Sequence, residues 1–258
     1  MSDRAVQDRV IRALADAPFR ASPAWRAAGL ADGERVERYA RFLARHFYHE
    51  RIVHFFKYSR ALAPLTGRTP ESVLRSAAFD ALLPTVVLGS RETARAVASL
   101  VTRHLQTSPA PVPYVGDLVR YEEAMMVVEA GPRVWRDAAG VAPTAGGERR
   151  APAPLKVDGT TLLELAHDLP AVLPALLGPW TDVPEAPQRP TTLLVARSPH
   201  GRVAVARSDA RIAAVLALAD GTRTLAELAA GAGLSVGELE ATVAGLVDLG
   251  AIRFWTGS

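Results

Sequence analysis

The sequence predicts an α+β protein, with an N-terminal all-helical domain over residues 1–138, a linker over 139–154 and a C-terminal winged-helix-like module over 155–258. Three observations predict it. Residues 4–18, 34–62, 70–83, 90–106 and 115–130 carry the apolar period of helices, separated by Pro84, Gly89 and the Pro109-Ala110-Pro111-Val112-Pro113 break. Gly140 to Pro154 is poor in bulky apolar residues and rich in breakers, as a linker or exposed loop is. Beyond it, two alternating stretches precede three capped helical patterns that end at Gly250.

Within the helical domain, Val36, Tyr39, Phe42, Leu43, His46 and Phe47 fall on one stripe of the helix over 34–62, and Arg35, Arg38, Arg41 and Arg45 form a solvated stripe beside it. Ser90 reads as the N-cap of the helix that reaches Gln106. After the linker, Leu155-Lys156-Val157 and Thr161 to Leu165 read as strands, Leu169 to Leu177 as an apolar helical stretch, and Pro179 to Pro190 as an irregular connector. Leu193 and Val195, then Val203 and Val205, alternate with smaller or polar neighbours, and Ser198-Pro199-His200-Gly201 supplies a turn, so a β-hairpin is expected.

Three helices follow. Ser208-Asp209 caps a first one, which places Ile212, Val215, Leu216 and Leu218 on one face and stops at Asp220-Gly221. Thr224 with Glu227 and Ser235 with Glu238 have the spacing of capping boxes. The third helix puts Val236, Leu239, Val243, Leu246 and Val247 on one face, and Gly250 closes it before a short strand over Ala251 to Trp255.

Composition narrows the function. Nearly half of the 258 residues are hydrophobic, enough for a real core and too many for a disordered chain. The absence of cysteine excludes disulfides, thiolate metal sites and a cysteine nucleophile. With no apolar signal core at Met1-Ser2-Asp3-Arg4 and no run of 18 apolar residues, a cytoplasmic protein without membrane contact is expected. Residues 1–60 hold twelve Lys or Arg against seven Asp or Glu, and the other 198 hold eighteen against twenty, so the basic excess is N-terminal. The third C-terminal helix carries Glu238, Glu240 and Asp248 and no base, unlike a helix that enters a DNA groove, which must meet about one phosphate charge per 1.7 Å of duplex.

Several constellations suggest chemistry. His46, His49, Glu50 and His54 share one helix, a spacing that suits a metal, but no second cluster completes a ligand set, and neighbouring aromatics favour packing or partner contact. Glu164-Leu165-Ala166-His167 is a single copy of a di-iron motif that needs two. Glu122 and Glu123 point to different helix faces and suit surface or capping roles. Gly231-Ala232-Gly233 with Gly237 reads as a turn, and Gly89-Ser90-Arg91 lacks the nucleophile-elbow pattern. No catalytic residue, cofactor or metal ligand is assigned, and a non-enzyme is expected.

The stretch Leu218-Ala219-Asp220-Gly221-Thr222-Arg223-Thr224-Leu225-Ala226-Glu227-Leu228, followed by Val243 to Ile252, resembles the peptide chaperone of pyrroloquinoline quinone synthesis and the recognition elements of ribosomally made, modified peptides. The N-terminal helices, with Tyr114-Val115-Gly116-Asp117-Leu118-Val119-Arg120-Tyr121-Glu122, resemble the accessory proteins of multinuclear non-haem iron oxidative enzymes, the methanobactin and bufferin types among them. The resemblance implies a non-catalytic subunit that binds a precursor peptide's leader and pairs with an iron-dependent oxidase, the iron lying in that partner. It places the leader along Arg202, Val203, Ala204, Val205 and Arg207 and against Leu239, Thr242, Val243 and Leu246. A winged-helix DNA-binding transcriptional regulator is the alternative, and a helical enzyme with a metal on the histidine face is third.

Overall fold

The computed structural model describes residues 3–27, 32–106, 112–130 and 153–255; all but the last two residues of the expected linker lie outside these. The chain is mixed helix and sheet, helical in its N-terminal part with small antiparallel sheets toward the C-terminus, as the α+β expectation requires. It divides into two compact units, Met1–Ala130 with Val172–Glu185, and Gly131–Ala171 with Ala186–Ser258.

In the first unit, α1 (Asp3–Ala15), α2 (Ala17–Ala21) and α3 (Pro23–Arg26) are punctuated by side chains: Asp16 accepts the Phe19 N–H at 2.9 Å, and Ser22 accepts that of Trp25 at 3.3 Å. Then comes α4 (Gly33–Phe55), capped by Asp32. The expected single helix over 34–62 breaks at Phe56, whose ψ of 35° leaves the helical region, and resumes as α5 (Lys57–Ala61) and α6 (Ala63–Thr66). The helix expected over 70–83 is instead a 3-10 turn at Pro70–Arg75 followed by α7 (Ala77–Leu82). Between them Ser76 is extended, and its hydroxyl accepts the Phe79 N–H. The unit's remaining long helices, α8 (Arg91–Leu105) and α9 (Val115–Glu129), pack on each other, while α4 packs against α1 and α9.

The buried stripe of α4 is Ala40, Ala44, Tyr48, Ile52 and Phe55. The stripe expected to be apolar, through Tyr39 and Phe42, faces out, with Tyr39 56% and Phe42 59% exposed. The reason is continuity. His46 and His49 interrupt the Tyr39 stripe, whereas the Ala40 stripe stays free of charge along the helix, and its alanines let a neighbouring helix come close. Val172–Glu185 contributes buried Val172, Leu173 and Leu176 to this unit, and the Tyr114 hydroxyl donates to the Pro184 carbonyl at 2.7 Å. Where the sequence suggested an apolar helix over 169–177, the chain makes two short 3-10 turns, Leu169–Ala171 and Ala175–Leu177.

The second unit contains β1 (Ala153–Lys156), β2 (Thr161–Leu165), β3 (Thr191–Arg197) and β4 (Val203–Ser208), then α10 (Ala210–Leu218), α11 (Leu225–Ala232), α12 (Val236–Asp248) and β5 (Ile252–Trp255). The expected β3–β4 hairpin is joined by β2 in a sheet of order β2-β3-β4, and β1 pairs with β5. Both expected capping boxes form: Thr224 and Ser235 each accept an N–H from the glutamate three residues on, and each glutamate reaches back. Leu194 and Ala196 on one face of β3 pack with Val215, Leu216, Leu228, Leu239, Val243 and Leu246 in one core. After α12, Gly250 takes a φ of +77° and Ala251 donates to the Leu246 carbonyl at 2.8 Å, a Schellman end that turns the chain into β5.

Candidate functional site

The sheet order leaves β4 at an edge. Which of its residues present backbone groups outward follows from the turn. Ser198 N–H donates to the Arg202 carbonyl at 2.8 Å, which makes Ser198 and Arg202 a hydrogen-bonded pair. Alternation along the register, Arg197 with Val203, Ala196 with Ala204, Val195 with Val205, Leu194 with Ala206 and Leu193 with Arg207, then turns the amides of Ala204 and Ala206 toward β3. The N–H and C=O groups of Val203, Val205 and Arg207 point to the outer edge. Among the described residues no backbone partner meets them there. An open edge of this kind is a template for an added strand.

Side chains alternate the other way. Ala204 and Ala206 lie on the sheet face that meets the helical core, opposite Ala196 and Leu194. Val203, Val205 and Arg207 lie on the other face, in line with Arg197, Val195 and Leu193. Both valines are half-buried, so an added strand would meet a shallow apolar strip.

The expected peptide-contacting residues do not come together as one surface. Arg202 is exposed at the turn, and Val203, Ala204, Val205 and Arg207 form the edge strand. From α12, by contrast, Leu239, Val243 and Leu246 are 0%, 2% and 2% exposed and fill the module's own core. Thr242 is half-buried, its hydroxyl donating to the Glu238 carbonyl at 2.8 Å. The exposed residues of α12 include Val236, Gly237, Glu238 and Glu240.

Arg207 has a commitment that the sequence did not show. It donates to Asp168 Oδ1 at 2.5 Å, while Arg189 bonds the other oxygen. Burial pushes the Asp168 carboxyl up, but the two guanidinium groups outweigh it and hold its pKa below the ordinary value. Arg207, one of the residues along which the leader is expected to lie, is therefore anchored beside the edge. Its partner was invisible to spacing because it lies 39 residues away.

The Asp220-Gly221-Thr222 stretch has a structural task. Asp220 accepts the N–H of Thr222 at 2.9 Å and its hydroxyl at 2.7 Å, and Gly221, at φ +80°, donates to the Pro154 carbonyl at 2.9 Å. The turn docks β1 beside the end of α10.

The other constellations resolve into local contacts. His46 stacks on Phe42 with centroids 6.2 Å apart, and His54 meets Phe55 edge-on at 4.7 Å. Among the described residues no three His, Asp or Glu side chains gather as a metal would need. Glu164 lies on β2 and His167 after it, so this pair is not on a helix. Ser72 Oγ lies 2.7 Å from His104 Nε2 and also donates to the Thr69 carbonyl at 2.7 Å, a local contact between the 3-10 turn and α8.

Glu122 and Glu123 do diverge. Glu123 accepts from Ser99 at 3.0 Å and Thr102 at 2.7 Å on α8. Glu122 is completely buried and accepts the Tyr58 and Ser59 N–H groups at 2.7 and 3.2 Å, together with the Ser59 hydroxyl. It supplies from α9 the cap that Phe56 cannot give α5. Burial pushes its carboxyl up, the donors and Lys57 oppose this, and its pKa settles at about 8.

No known family model and no curated protein sequence matches the chain.

Proposed function

We propose that the chain is a non-catalytic partner subunit that binds the leader of a ribosomally made precursor peptide and presents it to a multinuclear non-haem iron oxidative enzyme. On this reading the second unit is a winged-helix-like peptide-recognition element. One observation carries it: β4 is a sheet edge with the outward amides and carbonyls of Val203, Val205 and Arg207 unmet among the described residues. A leader adding there as a strand gains main-chain hydrogen bonds for affinity and reads side chains through the half-buried Val203 and Val205. Leu239, Val243 and Leu246 support the module from within, and Thr242 is the member of that set with accessible surface. The iron and the oxidative chemistry belong to the partner.

The DNA-binding alternative gains nothing from α12, which pairs its Glu238 with Arg211 at 3.9 Å and carries no base of its own.

The test is titration of the N-terminal segment of any short peptide encoded beside the chain, followed by fluorescence anisotropy, against the wild-type protein and Val205→Pro. Proline at 205 deletes an outward N–H and leaves the β3–β4 bonds intact, which an edge strand tolerates. The expected result is loss of binding by roughly tenfold or more with an unchanged melting temperature. Equal binding by the variant, or no binding by the wild type, refutes strand addition at β4.

A further inference from the structure

The outer face of α4 is a second surface with unspent binding capacity. Arg35, Tyr39, Phe42, His46 and His49 succeed one another at intervals of four, three, four and three residues, so they form one stripe along the helix. All five are exposed, opposite the buried Ala40, Ala44, Tyr48, Ile52 and Phe55. The rings form a ladder: Tyr39 and Phe42 lie 6.1 Å apart, and Phe42 and His46 lie nearly parallel at 6.2 Å. Isolated exposed apolar residues need no explanation, but two large rings more than half exposed and aligned with a third do.

Charge selects the occupant. Arg35 and Arg38 border the rings and hold no ion pair among the described residues, whereas Arg41 is held by Glu37 at 2.9 Å and Arg45 by Asp80. No acid lies on the stripe between Arg35 and His49. A second copy of the chain would therefore set cations against cations, at a cost. Nucleic acid would call for a denser row of free bases than two arginines. Aromatic anchors rimmed by arginine match the composition of protein interfaces.

We infer that the Arg35–Tyr39–Phe42–His46 face of α4 docks a folded protein whose surface offers an apolar patch edged with carboxylates. That this protein is the oxidative enzyme rests on the functional reading above. Tyr39 and Phe42 are the anchors, and Arg35 and Arg38 set orientation and the rate of encounter. Docking here and strand addition at β4 use different residues and are separately testable.

Isothermal titration calorimetry of the full chain against any purified multinuclear non-haem iron enzyme encoded beside it is the test, with Tyr39→Ala/Phe42→Ala and Arg35→Glu/Arg38→Glu as variants. Leader affinity and the circular-dichroism melt are measured on the same preparations. Each pair replaces exposed side chains, so native melts are expected, and the second pair stands if the first melts early. The expected result is a wild-type complex that weakens with salt, at least about tenfold weaker binding by either variant, and unchanged leader affinity. Wild-type affinity in both variants, no complex with the enzyme, or loss of self-association as the main effect of the substitutions each overturns the docking face. A chain that docks the enzyme through these residues and ignores the leader refutes the β4 reading alone; a complex that both variants leave intact refutes the docking face alone, and a chain that binds the leader and not the enzyme refutes the docking face together with the enzyme partnership.

Discussion

Glu122 accepts the backbone N–H of Tyr58 at 2.7 Å, so the start of one helix is capped by a fully buried carboxyl that arrives from another, 64 residues later. Burial raises that carboxyl from an ordinary 4.5 to about 8, so the native state holds a proton that the unfolded chain releases above pH 4.5. Stability therefore falls as the proton is lost. The contribution is fully present below pH 4.5 and disappears as pH rises toward 8, a change on the order of a few kcal/mol. Glu122→Gln keeps an acceptor for the Tyr58 N–H and cannot ionise, so its melting temperature should be flatter between those limits. Parallel wild-type and variant profiles would show that Glu122 is not the titrating group.

Gly250 ties the end of α12 to the hairpin. Its φ is +77°, and a Cβ there would collide with the Arg197 carbonyl, with the carbonyl carbon at 2.8 Å and Ser198 Cα at 2.9 Å. These are backbone atoms at the entry to the β3–β4 turn and cannot step aside cheaply. Gly233 has a similar φ of +67° and open space around it. Gly233→Ala is expected to cost about 1 kcal/mol in urea denaturation, and Gly250→Ala more than about 2 kcal/mol, because strain and collision add. Equal costs would mean that the hairpin yields freely.

The second unit was legible because its signals are local. Thr224 with Glu227 and Ser235 with Glu238 announce helix starts three residues in advance, and Leu193, Val195, Val203 and Val205 announce strands by alternation. What escaped depends on distant partners. Nothing near Asp168 points to Arg189 or Arg207, and Glu122 differs from Glu123 only in which helix packs over it. The apolar face of α4 was misjudged for a related reason: two stripes competed, and helix packing, not hydrophobicity alone, chose the one with alanines. At the candidate site, β4 itself could be read from the sequence, but the burial of Leu239, Val243 and Leu246 could not be told from exposure by periodicity, since a groove and a core require the same spacing.

The capping boxes give a simple stability test. Thr224→Ala and Ser235→Ala each free a backbone N–H and release the returning glutamate, so each should cost about 1 kcal/mol. The two boxes open different helices, and the double variant should lose close to the sum in chemical denaturation. A much larger combined loss would mean that α11 and α12 form only together.

Asp168 is buried between two arginines that are themselves largely exposed, Arg189 at 67% and Arg207 at 51%. Solvent screens their charges, so Asp168→Asn should cost only about 1–2 kcal/mol at neutral pH. Because the native pKa is held below 3.8, that stability is present above this pH and is lost as pH falls through the native value. Wild-type and variant denaturation curves should thus separate at neutral pH and converge in acid; a constant gap would assign the loss to packing. The same variant probes the edge. It releases Arg207 from its anchor while the outward amides of Val203 and Val205 stay in place, and an exposed arginine adds at most about 1 kcal/mol to any new ion pair. Leader affinity should therefore stay within several-fold of wild type in Asp168→Asn and collapse in Val205→Pro. The reverse order would mean that charge at Arg207, and not the open strand, holds the peptide.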